Sequence, residues 1–181
     1  MNKHGSDVCR LLLLIFFSIL VFISNASAQN ITKKIRVVSG GLVAFNFNSI
    51  TEYSIGKSLN GWTRLFVQFA DTTNSGNDGA STGWVVKVKA DFASIQSDGA
   101  GPDLALSNIE IKPTTIIAGT TSYNITLTDS FQPIVSGPDP GVSTTTGEIV
   151  VNFDCGKSTP LLGKMPDYYF VDLIFMIEEV P

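Results

Sequence analysis

From residue 31 onward the chain falls into short runs in which every second side chain is apolar, and this period of two constrains the fold more than any other feature. In "GWVVKVKA", Trp84, Val86 and Val88 alternate with Val85, Lys87 and Lys89. Successive residues of a β-strand point to opposite faces, so one face is apolar and the other largely basic. The alternation recurs in "NITKKIRVV" (Ile31, Ile35, Val37), "LVAFNFN" (Val43, Phe45, Phe47), "RLFVQFA" (Leu65, Val67, Phe69), "SYNITLTD" (Tyr123, Ile125, Leu127) and "GEIVVNFD" (Ile149, Val151, Phe153). Between these runs lie "DTTNSGNDGASTG", "SDGAGPD" and "SGPDPGVSTTTG". Their glycine, proline, asparagine and aspartate supply the dihedrals and local hydrogen bonds of turns. No segment sustains helical spacing over several turns. The pattern predicts an all-β chain of short antiparallel strands, closed into a sandwich or barrel.

The ending "YYFVDLIFMIEEVP" departs from the rule. Tyr169, Val171, Leu173, Phe175 and Ile177 share one face, while Tyr168, Phe170, Ile174 and Met176 make the other face apolar too, relieved by Asp172. A strand apolar on both sides is expected to be central in its sheet or covered on both faces. The sharper alternative gives the second face, Tyr168, Phe170, Ile174 and Met176, to another molecule by strand addition.

The opening residues decide which side chains belong to the mature protein. Lys3 and Arg10 precede an apolar run from Leu11 to Ile23, and Ala26-Ser27-Ala28 supplies small residues for cleavage. This predicts a signal peptide over residues 1–28 and a single β domain over 29–181 that is secreted, periplasmic or on the cell surface. The run is too short to span a bilayer, so no stable membrane span is expected after cleavage.

Loss of the leader removes His4, the only histidine, and Cys9, so Cys155 remains as the one thiol and no disulfide forms within a monomer. It also removes Lys3, Arg10 and Asp7 from 12 basic and 16 acidic side chains, leaving 10 and 15 and a net charge of −5. An acidic chain with no basic cluster is not built to bind nucleic acid.

Without a histidine base, Ser-His-Asp and Cys-His hydrolysis are excluded for the mature chain, and the usual zinc ligand set is missing. Gly56-Lys57-Ser58 and Gly156-Lys157-Ser158 are not phosphate loops, since the required earlier glycine is replaced by Thr51 and Val151. No cofactor is expected. Paired carboxylates are the remaining catalytic device, as in a small glycosidase, but Asp98, Asp103, Asp139 and Asp167 each sit beside glycine or proline and read as turn residues. Asp71, Asn74, Asn77 and Asp78 offer hard oxygen ligands for calcium without the ordered spacing of a calcium loop, and a solvated hairpin loop is the simpler reading. Cys155, directly after a strand, reads as a small buried hydrophobe. Trp84 reads as core, and packing is also the simpler reading of Trp62, which has the alternative of standing at the rim and stacking a sugar. Asn30 and Asn124 begin "NIT" sequons, which are glycan acceptors in a eukaryotic secretory pathway.

The segment "PDYYFVDLIFMIEEVP" resembles the final strand of bacterial fimbrial and spore-coat-U-like proteins. There a proline or glycine, a tyrosine and an aspartate lead into an alternating apolar end; Pro166, Tyr169 and Asp172 take those places, and Leu173, Phe175 and Ile177 continue the strand. The resemblance implies a secreted immunoglobulin-like sandwich that depends on a chaperone and assembles by strand exchange. The paired cysteines common in those families are absent. The sequence therefore leads to an antiparallel immunoglobulin-like β-sandwich that is not an enzyme. Its expected role is an exported structural or adhesive subunit, meeting its own kind or a periplasmic chaperone through the C-terminal strand. A carbohydrate-binding module using Trp62 on a glycan is the alternative, and a carboxylate-dependent glycosidase the third.

Overall fold

Twelve strands, one short α-helix and one 3-10 turn (Leu106–Asn108) are formed by the residues that the computed structural model describes: 31–71, 81–99, 101–141 and 143–180. The expected leader, Asn30 and the calcium candidates Asn74, Asn77 and Asp78 lie outside them. The strands are β1 (Ile31–Ser39), β2 (Lys57–Asp71), β3 (Gly83–Ala90), β4 (Ser94–Ser97), β5 (Leu104–Ala105), β6 (Ile109–Thr115), β7 (Thr121–Ser122), β8 (Ile125–Thr126), β9 (Gln132–Pro138), β10 (Thr144–Cys155), β11 (Tyr169–Phe170) and β12 (Leu173–Val180). The helix α1 covers Ile50–Ile55.

All ladders are antiparallel. One sheet has the order β1-β2-β10-β6-β8, a second β12-β3-β9-β7, and a small third β11-β4-β5. The inward residues of the first two meet in one cluster: Leu65, Val67, Phe69, Ile111, Ile149, Val151 and Phe153 from the first sheet, Trp84, Val86, Val88, Ile134 and Val135 from the second. This is the all-β sandwich that the alternation predicts, each strand placing its apolar set on the shared core.

Register explains the layout at particular points. Leu65 lies opposite Ile149 of β10 and Val37 of β1; Leu65 and Ile149 are fully buried, whereas Val37, on the edge strand and expected to face inward, is exposed. Trp84 is 1% exposed and faces Gly137 of β9 across the ladder. A β-carbon at Gly137 would lie 2.5 Å from the indole, so only glycine leaves room for the ring.

Two expectations are corrected. "LVAFNFN" has the burial of a strand, with Val43, Phe45 and Phe47 half-buried against the core, but joins no ladder among the described residues. Gly40, at φ 68°, turns the chain away from β2, and its approach to the Trp62 carbonyl leaves no room for a side chain. Beyond it side chains replace the ladder: the Trp62 indole N–H donates to the Leu42 carbonyl at 2.7 Å, and the Lys57 ammonium donates to the Asn46 carbonyl.

The closing strand is neither continuous nor central. It divides around Val171-Asp172 into β11, which pairs with β4, and β12, which pairs with β3 at the edge of its sheet. Apolarity on both faces reports what a strand can cover, and the position in the sheet is decided by pairing with residues far away in sequence.

Helix α1 carries a start signal that the periodicity misses. Ser49 accepts a hydrogen bond from the Glu52 amide at 3.2 Å, and Glu52 reaches back to the Asn48 amide, an arrangement close to a capping box.

Candidate functional site

Sheet edges expose unpaired N–H and C=O groups, and proteins guard them with lysine, proline, bulges or brevity. Of the four edges of the two main sheets, three are guarded. β1 carries Lys33, Lys34 and Arg36 and has an irregular register between Val37 and Ser39. β7 and β8 are two residues each. β12 has eight residues, Leu-Ile-Phe-Met-Ile-Glu-Glu-Val, with no lysine or proline, and its register with β3 runs unbroken from Leu173 opposite Ala90 to Val180 opposite Gly83. It is regular, long and apolar over Leu173–Ile177.

Its inner face is incompletely covered. Ile177 is buried in the core, whereas Leu173 and Phe175, with Val171 and Tyr169 before them, are only half-buried against it. The outer face holds Ile174, exposed, and Met176, half-buried, opposite Lys89 and Lys87. Charge is confined to the far end: Lys87 pairs with Glu178, and Lys33 of β1 reaches Glu179 at 3.2 Å, drawing the two edge strands together there. Of the predicted interaction residues, Tyr168 is 83% exposed and Phe170 is exposed, but these precede β12 and belong to the loop and to the small sheet. The structure thus brings Ile174 and Met176 together on one strand and sets Tyr168 and Phe170 apart from them.

The other candidates separate clearly. Asp71 is fully buried and accepts from the Ser81 hydroxyl at 3.1 Å. Among the described residues no three His, Cys, Asp or Glu side chains are grouped to hold a metal ion. Trp62, within β2, is 41% exposed, with its indole N–H donating to the Leu42 carbonyl. Cys155 is buried, and burial pushes its thiol up to about 12, so it is held as the unreactive thiol. Asn124 is exposed between β7 and β8.

Asp103 and Asp167 act as turn residues, as their neighbours suggest. Asp103 accepts from the Ser94 hydroxyl at 2.6 Å and the Ser97 amide at 3.1 Å, and Asp167 from the Ser97 hydroxyl and the Tyr168 amide, tying β4 to Asp103 and to the start of β11. These donors hold both carboxyls below the ordinary value of 3.8. On the outer face of the five-stranded sheet Lys112 bridges Asp154 and Glu110. Burial alone would raise Asp154, but Lys112 and the Ser58 hydroxyl bring it below its ordinary value. The Ser158 hydroxyl and then Lys112 lower Glu110, and Asp154 and Glu110 raise Lys112.

A carboxyl depressed in the folded state stabilises above its unfolded value and loses that contribution as pH falls through the folded one. Thermal melts are therefore expected to be level from neutral pH to about 5, then to fall below the ordinary values of 3.8 and 4.5. Asp154→Asn should flatten the acid limb; a limb of unchanged steepness in that variant would show that Asp154 does not contribute.

No family model and no curated protein matches the chain. Among solved structures it matches the P pilus rod subunit PapA at 12% identity and a TM-score of 0.35, over 81% of this chain and 99% of that one. A likeness at that level carries no weight for fold or activity. Among the described residues no helix is long and apolar enough to cross a membrane.

Proposed function

We propose that the chain is an exported structural or adhesive surface subunit that joins another chain by strand addition at β12. The observation that supports this is the contrast between edges: β1, β7 and β8 are guarded along their length, while β12 is regular and apolar over Leu173–Ile177, beside half-buried Leu173 and Phe175, and carries charge only at Glu178 and Glu179, where Lys33 of β1 approaches. An added strand would pair its main chain with β12 and cover both side chains at once. A second copy and a periplasmic chaperone are the two partners that meet this description.

The test is the mass of the exported protein by light scattering, alone and with periplasmic extract. Species larger than the monomer are expected. Ile174→Lys, an outward change that places a natural edge guard, should reduce the assembled fraction roughly tenfold without lowering the melting temperature. A wild type that stays monomeric throughout, with β12 amides as protected from exchange as those of β3, would overturn the proposal.

A second reading, glycan binding, is supported by the exposure of Trp62. Quenching of its fluorescence by an oligosaccharide, lost in Trp62→Ala, would select it.

A further inference from the structure

The outer face of the five-stranded sheet carries a basic, partly aromatic surface built from two strands. Thr63 and Leu65 are buried, so the alternation of β2 turns Trp62, Arg64 and Phe66 outward. Pairing sets Arg36 of β1 opposite Phe66, and its guanidinium lies over the ring, 5.5 Å from the centroid. Lys34 is on the same face, opposite Gln68. Lys34 and Arg36 form no ion pair among the described residues, and Arg64 has one contact, at 3.5 Å from a single guanidinium nitrogen to Glu148. Edge guarding accounts for cations on β1. It does not account for Arg64, on a strand paired on both sides, or for a guanidinium set over an aromatic ring.

Beside these residues lies a groove of about 230 Å³, lined by Arg64, Glu148, Val150, Thr114, Thr115 and Ile116. Arg64, Val150 and Thr114 are cross-strand partners, so the groove runs across β2, β10 and β6. It is smaller than the roughly 300–1,000 Å³ that encloses a drug-sized ligand, and so suits one ring of a longer ligand lying across the sheet. Val150 and Ile116 offer the ring an apolar surface, and the Glu148 carboxylate accepts from hydroxyls.

Charge selects the kind of ligand. On the β1 side of this face Lys34, Arg36 and Arg64 meet one carboxylate among the described residues, Glu148. Asp154 and Glu110 lie further along β10 and β6 and are engaged by Lys112. Guanidinium groups pair with carboxylate or sulfate through two parallel hydrogen bonds. A nucleic acid would bring a phosphate at every residue, and Glu148 within the cluster opposes so continuous a line of charge. A polysaccharide carries acid groups at intervals with hydroxyls between them, and Trp62, outward on the same strand, offers a sugar a stacking surface.

We infer that the outer face of β1, β2 and β10 binds an acidic polysaccharide, with acid groups on Arg36 and Arg64 and one sugar ring in the groove over Val150. The inference rests on the glycan reading above, which it makes specific, and is independent of strand addition at β12.

The test is electrophoresis of the exported protein in native gels containing polygalacturonate, dextran sulfate, neutral dextran or single-stranded DNA. Retardation by an acidic polysaccharide and none by dextran is expected, and the first two gels separate carboxylate from sulfate. Arg36→Gln/Arg64→Gln should need roughly tenfold more polymer for the same retardation. Lys157→Gln/Lys164→Gln removes the same charge beyond the end of β10 and should leave retardation unchanged. Dextran acting as strongly as the acidic polymers would overturn this inference and keep the glycan reading; no retardation by any polysaccharide would overturn both. Equal losses in the two double variants, or stronger retardation by DNA than by either acidic polysaccharide, would also overturn it.

Discussion

Trp84→Ala is expected to lower the unfolding free energy by about 3–5 kcal/mol, read as a shift of the denaturant midpoint at unchanged slope. The ring is fully buried in the layer between the sheets, so its removal forfeits transfer free energy and leaves a cavity that the rigid ladders of β3 and β9 cannot close. The indole N–H has no hydrogen-bond partner among the described residues, so Trp84→Phe loses packing alone and should cost markedly less than the alanine change. Gly137→Ala approaches the same ring from the other side, placing a methyl 2.5 Å from it, and should cost about 1–3 kcal/mol through overpacking. The two sites are in contact, so their effects should not add: Gly137→Ala should be milder in Trp84→Phe than in the wild type. Additivity across that cycle would show that the clash is relieved elsewhere.

Gly56→Ala is the second large loss expected. Gly56 closes α1 at φ 71° and ψ 177°, a region of backbone space that is essentially restricted to glycine, and a β-carbon there would lie 2.5 Å from the Cys155 carbonyl oxygen. Backbone strain alone costs about 1–3 kcal/mol, and relief of the contact must move β10 or α1. Chemical denaturation should show the loss, and amide exchange should speed up at Leu161, whose hydrogen bond to Tyr53 crosses from the loop to the helix. Gly141→Ala is the control: it also has positive φ, 62°, but nothing lies within 4 Å of its added methyl, so its cost should be the smaller of the two. Equal effects would assign the loss at Gly56 to dihedral strain alone.

How much was legible in the sequence depends on whether a feature is local. The inward set of β3, the burial of Cys155 and the turn roles of Asp103 and Asp167 follow from a residue and its near neighbours, and the structure agrees on each. The face assignment at the C-terminus also holds for Ile177 and for half-buried Leu173 and Phe175. Whether that strand is central or marginal depends on which distant strand lies beside it, and alternation carries no such information. The same limit produced the strand expected over Val43 to Phe47: its side chains pack inward as predicted, but the ladder was lost to the turn at Gly40. The basic face around Arg36 and Arg64 was missed for the same reason, since the two residues come together only when β1 pairs with β2.

The order of strands in the five-stranded sheet also sets a timetable. β2 lies between β1 and β10, so the first half of the described chain offers β2 only one partner, and the other arrives when residues beyond Thr144 are present. Likewise β3 stands between β9 and β12, and its last neighbour arrives only with residues from Leu173 onward. Closing such remote pairings costs loop entropy before any contact repays it, which places the folding of this chain in the slow range of milliseconds to seconds or beyond. Until then the row from Trp84 to Val88 lacks one of its flanking strands, and any extended apolar segment that reaches β3 first competes with β12 for the place.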